Sequence, residues 1–265
     1  MKNYQILVEA AKTFATDAAE LVSLSRNRHF SVASKSTTTD MVTDVDKVCE
    51  RYLVERIQKA FPNDSIIAEE GAEHNGSSDI SWVVDPIDGT TNFIYGFPSY
   101  SVSVGVLEND TVVAGAVFNI PEQCVYWSGK GMGAFKDSNP IHVRNQVDTS
   151  NSLIGTGFGY SAMRRIAQAK FLTTIIGEVR DIRRTGAASL DLCFVAEGRI
   201  DGYYEAGLWP WDYAAATLIV REAGGFACGS NNGEPSRELT VAASNLELAN
   251  FLQAKLLPYL PFGED

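Results

Sequence analysis

Apolar residues near the start of the chain recur at helical spacing: Ile6, Leu7, Ala10, Phe14, Ala18, Leu21 and Val22 fall on one face. The pattern predicts a long amphipathic helix ending near Ser25. Val45, Val48, Tyr52, Leu53 and Ile57 predict a second helix, from about Asp44 to Ala60. Thr43 and Asp46 at its start have the form of a capping box, with Asp where the longer Glu is usual. Phe61-Pro62-Asn63-Asp64 stops it. Short apolar runs then read as strands. Ser65 to Ala68 leads into Glu69-Glu70, and Ser81 to Val84 leads into an aspartate-containing turn. Ser101 to Leu107 and Thr111 to Phe118 form a hairpin about Glu108-Asn109-Asp110. Gln123 to Ser128 and Ala134-Phe135 flank a glycine-rich turn.

The pattern changes after about Val143. Strands at Leu153-Ile154-Gly155, Val179 to Arg183, Asp201 to Tyr204 and Thr240 to Ala243 alternate with helices at Ser161 to Ile176, Ser189 to Glu197, Trp211 to Ala223 and Leu246 to Leu257. Gly224-Gly225 ends the third of these helices, as C-terminal glycines do. The first part therefore reads as α+β, helices on an antiparallel sheet, and the second as α/β. The polar stretch Asn145 to Ser152 marks the boundary. The expected division is an N-terminal subdomain of residues 1–147 and a C-terminal one of residues 148–265.

Composition narrows the possible partners. With 265 residues, 45% of them hydrophobic, the chain has material for one large domain or two packed subdomains. A net charge of -11 argues against nucleic-acid backbones and anionic membrane surfaces, both of which call for clustered Lys and Arg. An acidic protein that binds a phosphate needs local positive charge, which bound Mg²⁺ supplies. Cys49, Cys124, Cys193 and Cys228 show no paired spacing and read as reduced thiols. The N-terminal residues lack a signal-peptide pattern, and no apolar run reaches membrane-span length; the expected location is the cytoplasm. His29, His74 and His142 are far apart in sequence, and no zinc spacing is present. The chemistry expected is that of carboxylates, hydroxyls and hard metal ions.

The run Trp82-Val83-Val84-Asp85-Pro86-Ile87-Asp88-Gly89-Thr90-Thr91-Asn92-Phe93 carries that chemistry. It sets Asp85 and Asp88, hard oxygen donors suited to Mg²⁺, at the end of an apolar strand. Pro86 biases Asp85 toward extended backbone. Gly89 permits a tight turn with close ligand approach, and N–H groups at a helix start favour a phosphate. Glu69 ends the preceding strand; if the two strands are neighbours, both acids converge on one ion. Asp212, after Trp211, stands at a helix start, where an Asp also serves as a cap.

Two other runs are read differently. Asp44-Val45-Asp46 has the form of a phosphatase nucleophile motif but lies at a helix start, where acids stabilise the N-terminus. Gly155-Thr156-Gly157-Phe158-Gly159 lacks dinucleotide-loop spacing and reads as a turn that allows close packing.

Glu69-Glu70, then Asp85 to Phe93, then Trp211-Asp212 ahead of Glu222-Ala223-Gly224-Gly225 occur in this order over nearly the whole chain. In this the chain resembles the inositol monophosphatase family of Mg²⁺-dependent, lithium-sensitive phosphatases. The resemblance implies a layered αβαβα sandwich of the sugar-phosphatase type, usually dimeric. It also implies two or three Mg²⁺ ions: one on Glu69, Asp85 and the Ile87 carbonyl, a second on Asp85, Asp88 and Asp212, and a weaker third on Glu69. Gly89 and Thr90 would bind phosphate oxygens. Thr90 and Asp46 would orient the attacking water, with Glu70 beside them among the catalytic residues and Lys35 on a nearby loop. Glu205 would grip substrate hydroxyls, and the loop Gly186, Ala187, Ala188 and Ser189 would line the pocket.

The activity implied is hydrolysis of a small phosphate monoester, myo-inositol monophosphate or a related polyol phosphate, by metal-activated water without a phosphoenzyme. Ala187 stands where many relatives carry a small hydroxyl residue, Ala216 where Gly is common, and Leu208-Trp209-Pro210 is bulky beside the pocket. These departures bear on specificity. Fructose-1,6-bisphosphatase, histidinol-phosphate phosphatase, NADP phosphatase and 3′-phosphoadenosine 5′-phosphate phosphatase stay open as alternatives, as does a non-enzymatic protein-binding regulator. Arg183-Arg184 would meet an anionic substrate, a neighbouring subunit or solvent.

Overall fold

The computed structural model describes residues 4–26, 29–35, 39–144 and 147–260. Ser36 to Thr38, in the polar run after Lys35, and Asn145 and Gln146, at the start of the expected boundary, lie outside the described residues.

Helices α1 (Gln5–Ser25) and α2 (Asp44–Ala60) form where the two apolar patterns place them, but the buried faces are shifted: in α1 Val8, Ala11, Ala15 and Ala19 join Phe14, Ala18 and Val22 while Ile6 is exposed, and in α2 Cys49 is buried while Val48 is exposed. The Thr43 side chain accepts from the Asp46 N–H while the Asp46 carboxylate accepts from the Thr43 N–H, so the capping box forms despite the shorter acid. Strands β1 (Val32–Ser34) and β2 (Met41–Thr43) make a small hairpin between these helices that the sequence pattern does not announce.

An eight-stranded sheet follows: β3 (Ser65–Ala68), β4 (Glu73–His74), β5 (Ile80–Asp88), β6 (Ser101–Glu108), β7 (Thr111–Asn119), β8 (Cys124–Gly129), β9 (Ala134–Lys136) and β10 (Asn139–Ile141), in the order β10-β9-β8-β7-β6-β5-β3-β4. All its pairs are antiparallel except β3–β5. The second sheet holds β11 (Leu153–Thr156), β12 (Asp181–Arg183), β13 (Gly202–Glu205), β14 (Phe226–Cys228) and β15 (Thr240–Ala243), in the order β12-β11-β13-β15-β14.

Beyond the one-turn α3 (Thr90–Tyr95), the later helices are α4 (Ala162–Ile175), α5 (Ala188–Ala196), α6 (Pro210–Glu222) and α7 (Leu246–Leu256). α1 and α2 cover one face of the large sheet. α5 and α6 lie between the sheets, and α4 and α7 close the far side. The result is the αβαβα sandwich. α5 and α6 are apolar nearly all round because both their faces meet a sheet. Gly105 and Gly115, paired across β6 and β7, let α6 settle onto the sheet: a Cβ on Gly115 would come within 2.8 Å of Ala215 Cα. That seating fixes the start of α6, where Asp212 stands.

Strand β5 runs on through the aspartate motif rather than ending at Val84. Its pairing absorbs the motif as a bulge. Asp85 faces Ser103 and Asp88 faces Ser101, so three steps of β5 match two of β6. All four cysteines are free thiols. Among the described residues no helix is long and apolar enough to cross a membrane.

Candidate active site

β3 and β5 run parallel, with Ala68 beside Val84, so the residues that follow, Glu69 and Asp85, are neighbours. Their carboxyl groups meet directly. Side chains three apart on a regular strand point to opposite faces; the extra residue in the bulge restores Asp85 and Asp88 to one side. Asp85 Oδ1 accepts from the Ile87 N–H at 2.9 Å. Asp88 reaches the start of α5, which has no side-chain cap of its own. Its Oδ1 accepts from Ala188 N at 3.2 Å, and its Oδ2 accepts from Ser189 N at 2.8 Å and Ser189 Oγ at 2.6 Å. Asp212 caps α6, accepting from Trp209 N at 2.6 Å.

These four acids share one electrostatic field. Burial raises the Glu69 carboxyl, and Lys35 pulls it back. Burial, then repulsion from Glu69, Asp88 and Asp212, raises Asp85 well above the carboxylate range. Asp212 rises likewise, from burial and then Asp88 and Glu69. Asp88 is pushed up to about 6 by burial and Glu69, against the lowering effect of its Ser189 and Ala188 hydrogen bonds.

Buried like charges at this spacing call for a cation. Glu69 Oε2 is buried with no hydrogen-bond partner. The donor set is entirely hard oxygen, which fits Mg²⁺. Among the described residues no three of these acids already close around one point; each rests on a partner of its own. Lys35, following β1, lies 2.7 Å from Glu69 Oε1 and 2.5 Å from Glu70 Oε1. Burial opposes its charge, but Glu69 and Glu70 outweigh it and hold the ammonium protonated.

Gly89 has φ +88 and precedes α3. A Cβ there would come within 2.9 Å of the Ser99 carbonyl and 3.2 Å of Ala187 Cβ, so only glycine fits between the turn and the loop of Gly186, Ala187 and Ala188. Thr90 Oγ1 lies 3.1 Å from Asp46 Oδ1 and 3.0 Å from the Ile87 carbonyl, and its single proton serves one at a time. Asp46 is buried at the α2 cap. Its Oδ2 accepts from Thr43 N at 2.9 Å and also from the Thr43 hydroxyl. Glu205, at the end of β13, accepts from the Tyr203 hydroxyl. Burial pushes it up to about 7, against Tyr203 and Arg184 and with help from Asp88. Arg183 turns away to pair with Asp181 on the exposed strand edge.

Sequence reasoning missed how three residues support the site. Glu50 shares the Asp46 face of α2, one helical turn on. It is buried and takes the N–H groups of Glu70 at 2.6 Å and Ala72 at 3.2 Å. Asn92 Nδ2 donates to Ser99 O at 2.6 Å and Thr185 O at 2.8 Å, tying α3 to the Gly186 loop. Ser189, expected only as the end of that pocket loop, holds Asp88 and in turn meets Ser101 Oγ at 2.8 Å. An acid on an apolar helical face was a readable signal for Glu50. The other two act across the fold, and nothing local marks them.

The fold is a layered αβαβα sandwich that gathers buried acids from strand ends and a helix start. The model of the inositol monophosphatase family matches residues 3–262, and the chain belongs to that family. An inositol-1-monophosphatase of Mycobacterium bovis is 41% identical over 262 residues, 95% of this chain and 90% of that protein. A Nus factor SuhB of Pasteurella multocida is 40% identical over 224 residues, 82% of this chain and 84% of that protein. The solved structure of the extragenic suppressor protein suhB from Bartonella henselae has a TM-score of 0.89 at 30% identity, covering 95% of this chain and 98% of that one.

Proposed function

We propose that this protein is a Mg²⁺-dependent phosphomonoesterase acting on myo-inositol monophosphate or a related polyol phosphate. The observation that carries the reading is the buried acid set Glu69, Asp85, Asp88 and Asp212 beside the Gly89–Thr90 turn. Glu69, Asp85, Asp88, Asp212 and the Ile87 carbonyl are the proposed ligands for two or three Mg²⁺ ions. When bound, these ions neutralise the phosphate, lower the pKa of water and stabilise the leaving alkoxide.

The chain's own residues do the rest. Gly89 and Thr90 offer backbone N–H groups to phosphate oxygens. Thr90 donates its hydroxyl hydrogen bond to Asp46 and accepts one from the attacking water; Asp46, fixed by Thr43, holds that arrangement in place. Lys35, coming from the β1 side and paired with both Glu69 and Glu70, braces Glu69. Gly186, Ala187 and Ala188 wall the pocket, and Glu205 accepts from substrate hydroxyls. A carboxylate wall repels a second phosphate, which favours a polyol monophosphate over a bisphosphate. The residues divide between subdomains 1–147 and 148–265, so the pocket lies where they meet. A cytoplasmic homodimer completes the reading.

Phosphate release from inositol 1-phosphate, fructose 1,6-bisphosphate, histidinol phosphate, NADP and 3′-phosphoadenosine 5′-phosphate, with and without Mg²⁺, tests it. The expected result is Mg²⁺-dependent release with inositol 1-phosphate preferred. Preference for another substrate would move the specificity claim. No release from any would favour a partner-binding regulator, the reading suggested by relatives named Nus factor.

A further inference from the structure

Tyr203 and Glu205 both lie on β13 and, two residues apart, leave the same face of the sheet. Tyr203 is wholly buried on that face among α5 and α6 side chains. Its hydroxyl donates to Glu205 Oε2. On its other flank the carboxylate lies against bare backbone. β11 and β13 run parallel with Thr156 beside Tyr204, so the chains leave the sheet together with Gly157 next to Glu205. A Cβ on Gly157 would come within 1.9 Å of Glu205 Oε2 and 2.4 Å of Oε1. Gln168, buried in α4, clips the two departing segments together. Its Oε1 accepts from Gly159 N at 2.9 Å, and its Nε2 donates to the Ala206 carbonyl at 3.0 Å. The Gly155 to Gly159 run therefore serves the pocket wall.

We infer that Tyr203 and Gly157 are positioning residues for Glu205, and that they set selectivity for phosphomonoesters whose leaving group presents hydroxyls over those whose leaving group has none. The inference rests on the polyol-phosphatase reading above. Tyr203 occupies one lone pair of the carboxylate and fixes its plane; Gly157 leaves the space that plane needs. A flexible glutamate would have to be ordered by each substrate, at a cost in binding.

Two substitutions separate positioning from folding. Tyr203→Phe keeps the ring and removes the donor. Gly157→Ala places a methyl group where the carboxylate now lies. Gly157 is not in the left-handed region, and the obstructing atoms end a flexible side chain, so the fold accommodates the change by moving Glu205. Steady-state kinetics of the full chain with Mg²⁺ would compare inositol 1-phosphate with p-nitrophenyl phosphate. Both variants should raise KM for inositol 1-phosphate about tenfold to a hundredfold, the worth of a hydrogen bond to a charged group. They should leave kcat/KM for p-nitrophenyl phosphate within about twofold. Tyr203→Phe should add little on top of Glu205→Gln, because it acts through Glu205. An unchanged KM for inositol 1-phosphate in both variants, or an equal loss on both substrates, would overturn the positioning role while leaving the phosphatase reading in place. A wild-type chain that hydrolyses p-nitrophenyl phosphate but not inositol 1-phosphate would overturn the polyol reading and this inference with it.

Discussion

The two walls of the pocket are built in different ways. On the large-sheet side, Asp85, Ile87, Asp88, Gly89 and Thr90 come from one continuous run, Glu69 joins them through a single parallel strand pairing, and Asp212 joins from the start of α6, which is seated on that sheet. On the second-sheet side, Glu205 is set by Tyr203 on its own strand, Gly157 on the next and Gln168 from a helix. In the proposed function the first wall concentrates charge and would do the chemistry, and the second would select what is held against it. Most of the groups proposed for the chemistry sit in one local motif, whereas those proposed for selectivity are assembled from residues on separate elements.

The largest expected effect tests the first wall. Asp88→Asn or Asp212→Asn should lower kcat roughly a thousandfold or more, since each removes a proposed ligand whose ion supplies several kcal/mol to the transition state. Circular dichroism should show the fold intact. Near-normal turnover in either variant would break the ligand assignment.

Next comes the electrostatic cost of that wall. Asp88, with a folded value of about 6 against an ordinary 3.8, binds its proton more tightly in the folded state. Its contribution therefore turns unfavourable as pH rises from about 4 to 6 and stays so above that range, a loss of about 3 kcal/mol. Asp85 and Asp212 act in the same direction. Without Mg²⁺ the thermal midpoint should fall between pH 5 and pH 8. Added Mg²⁺ should raise it, more at pH 8 than at pH 5. A midpoint indifferent to Mg²⁺ at pH 8 would contradict the account.

The second wall gives a smaller, selective signature. Glu205, raised to about 7, accepts hydroxyl hydrogen bonds fully only when ionised. kcat/KM for inositol 1-phosphate should therefore climb as pH rises through about 7, by a limb that Glu205→Gln removes and p-nitrophenyl phosphate does not show. The smallest effect concerns the link between the walls. Asn92→Ala frees the Thr185–Gly186 loop from α3 by removing the hydrogen bond to the Thr185 carbonyl together with the buried one to the Ser99 carbonyl, and should cost about 1–3 kcal/mol of unfolding free energy in urea.

Much of the fold was legible because its signals are local. The extents of α1 and α2, the Thr43–Asp46 box and the Asn109–Asp110 hairpin each follow from neighbouring residues. β4, β10 and β14 are only two or three residues long and exist through pairing with a neighbour, so no pattern announces them. The site divides in the same way. Asp85 and Asp88 could be picked out as a pair from their run alone. The bulge that turns them to one side could not, because it depends on the register against β6. Asp88 capping α5 and Glu50 holding the Glu70 N–H are likewise contacts between elements far apart in the chain.

The division of labour between the walls is tested most directly by metal binding itself. Mn²⁺ titration, followed by the loss of the free-ion paramagnetic resonance signal, would compare the wild-type chain, Asp88→Asn and Glu205→Gln without substrate. The account predicts tight uptake by the wild type and by Glu205→Gln, and strongly weakened uptake by Asp88→Asn. Equal uptake by all three, or weakening by Glu205→Gln alone, would contradict it.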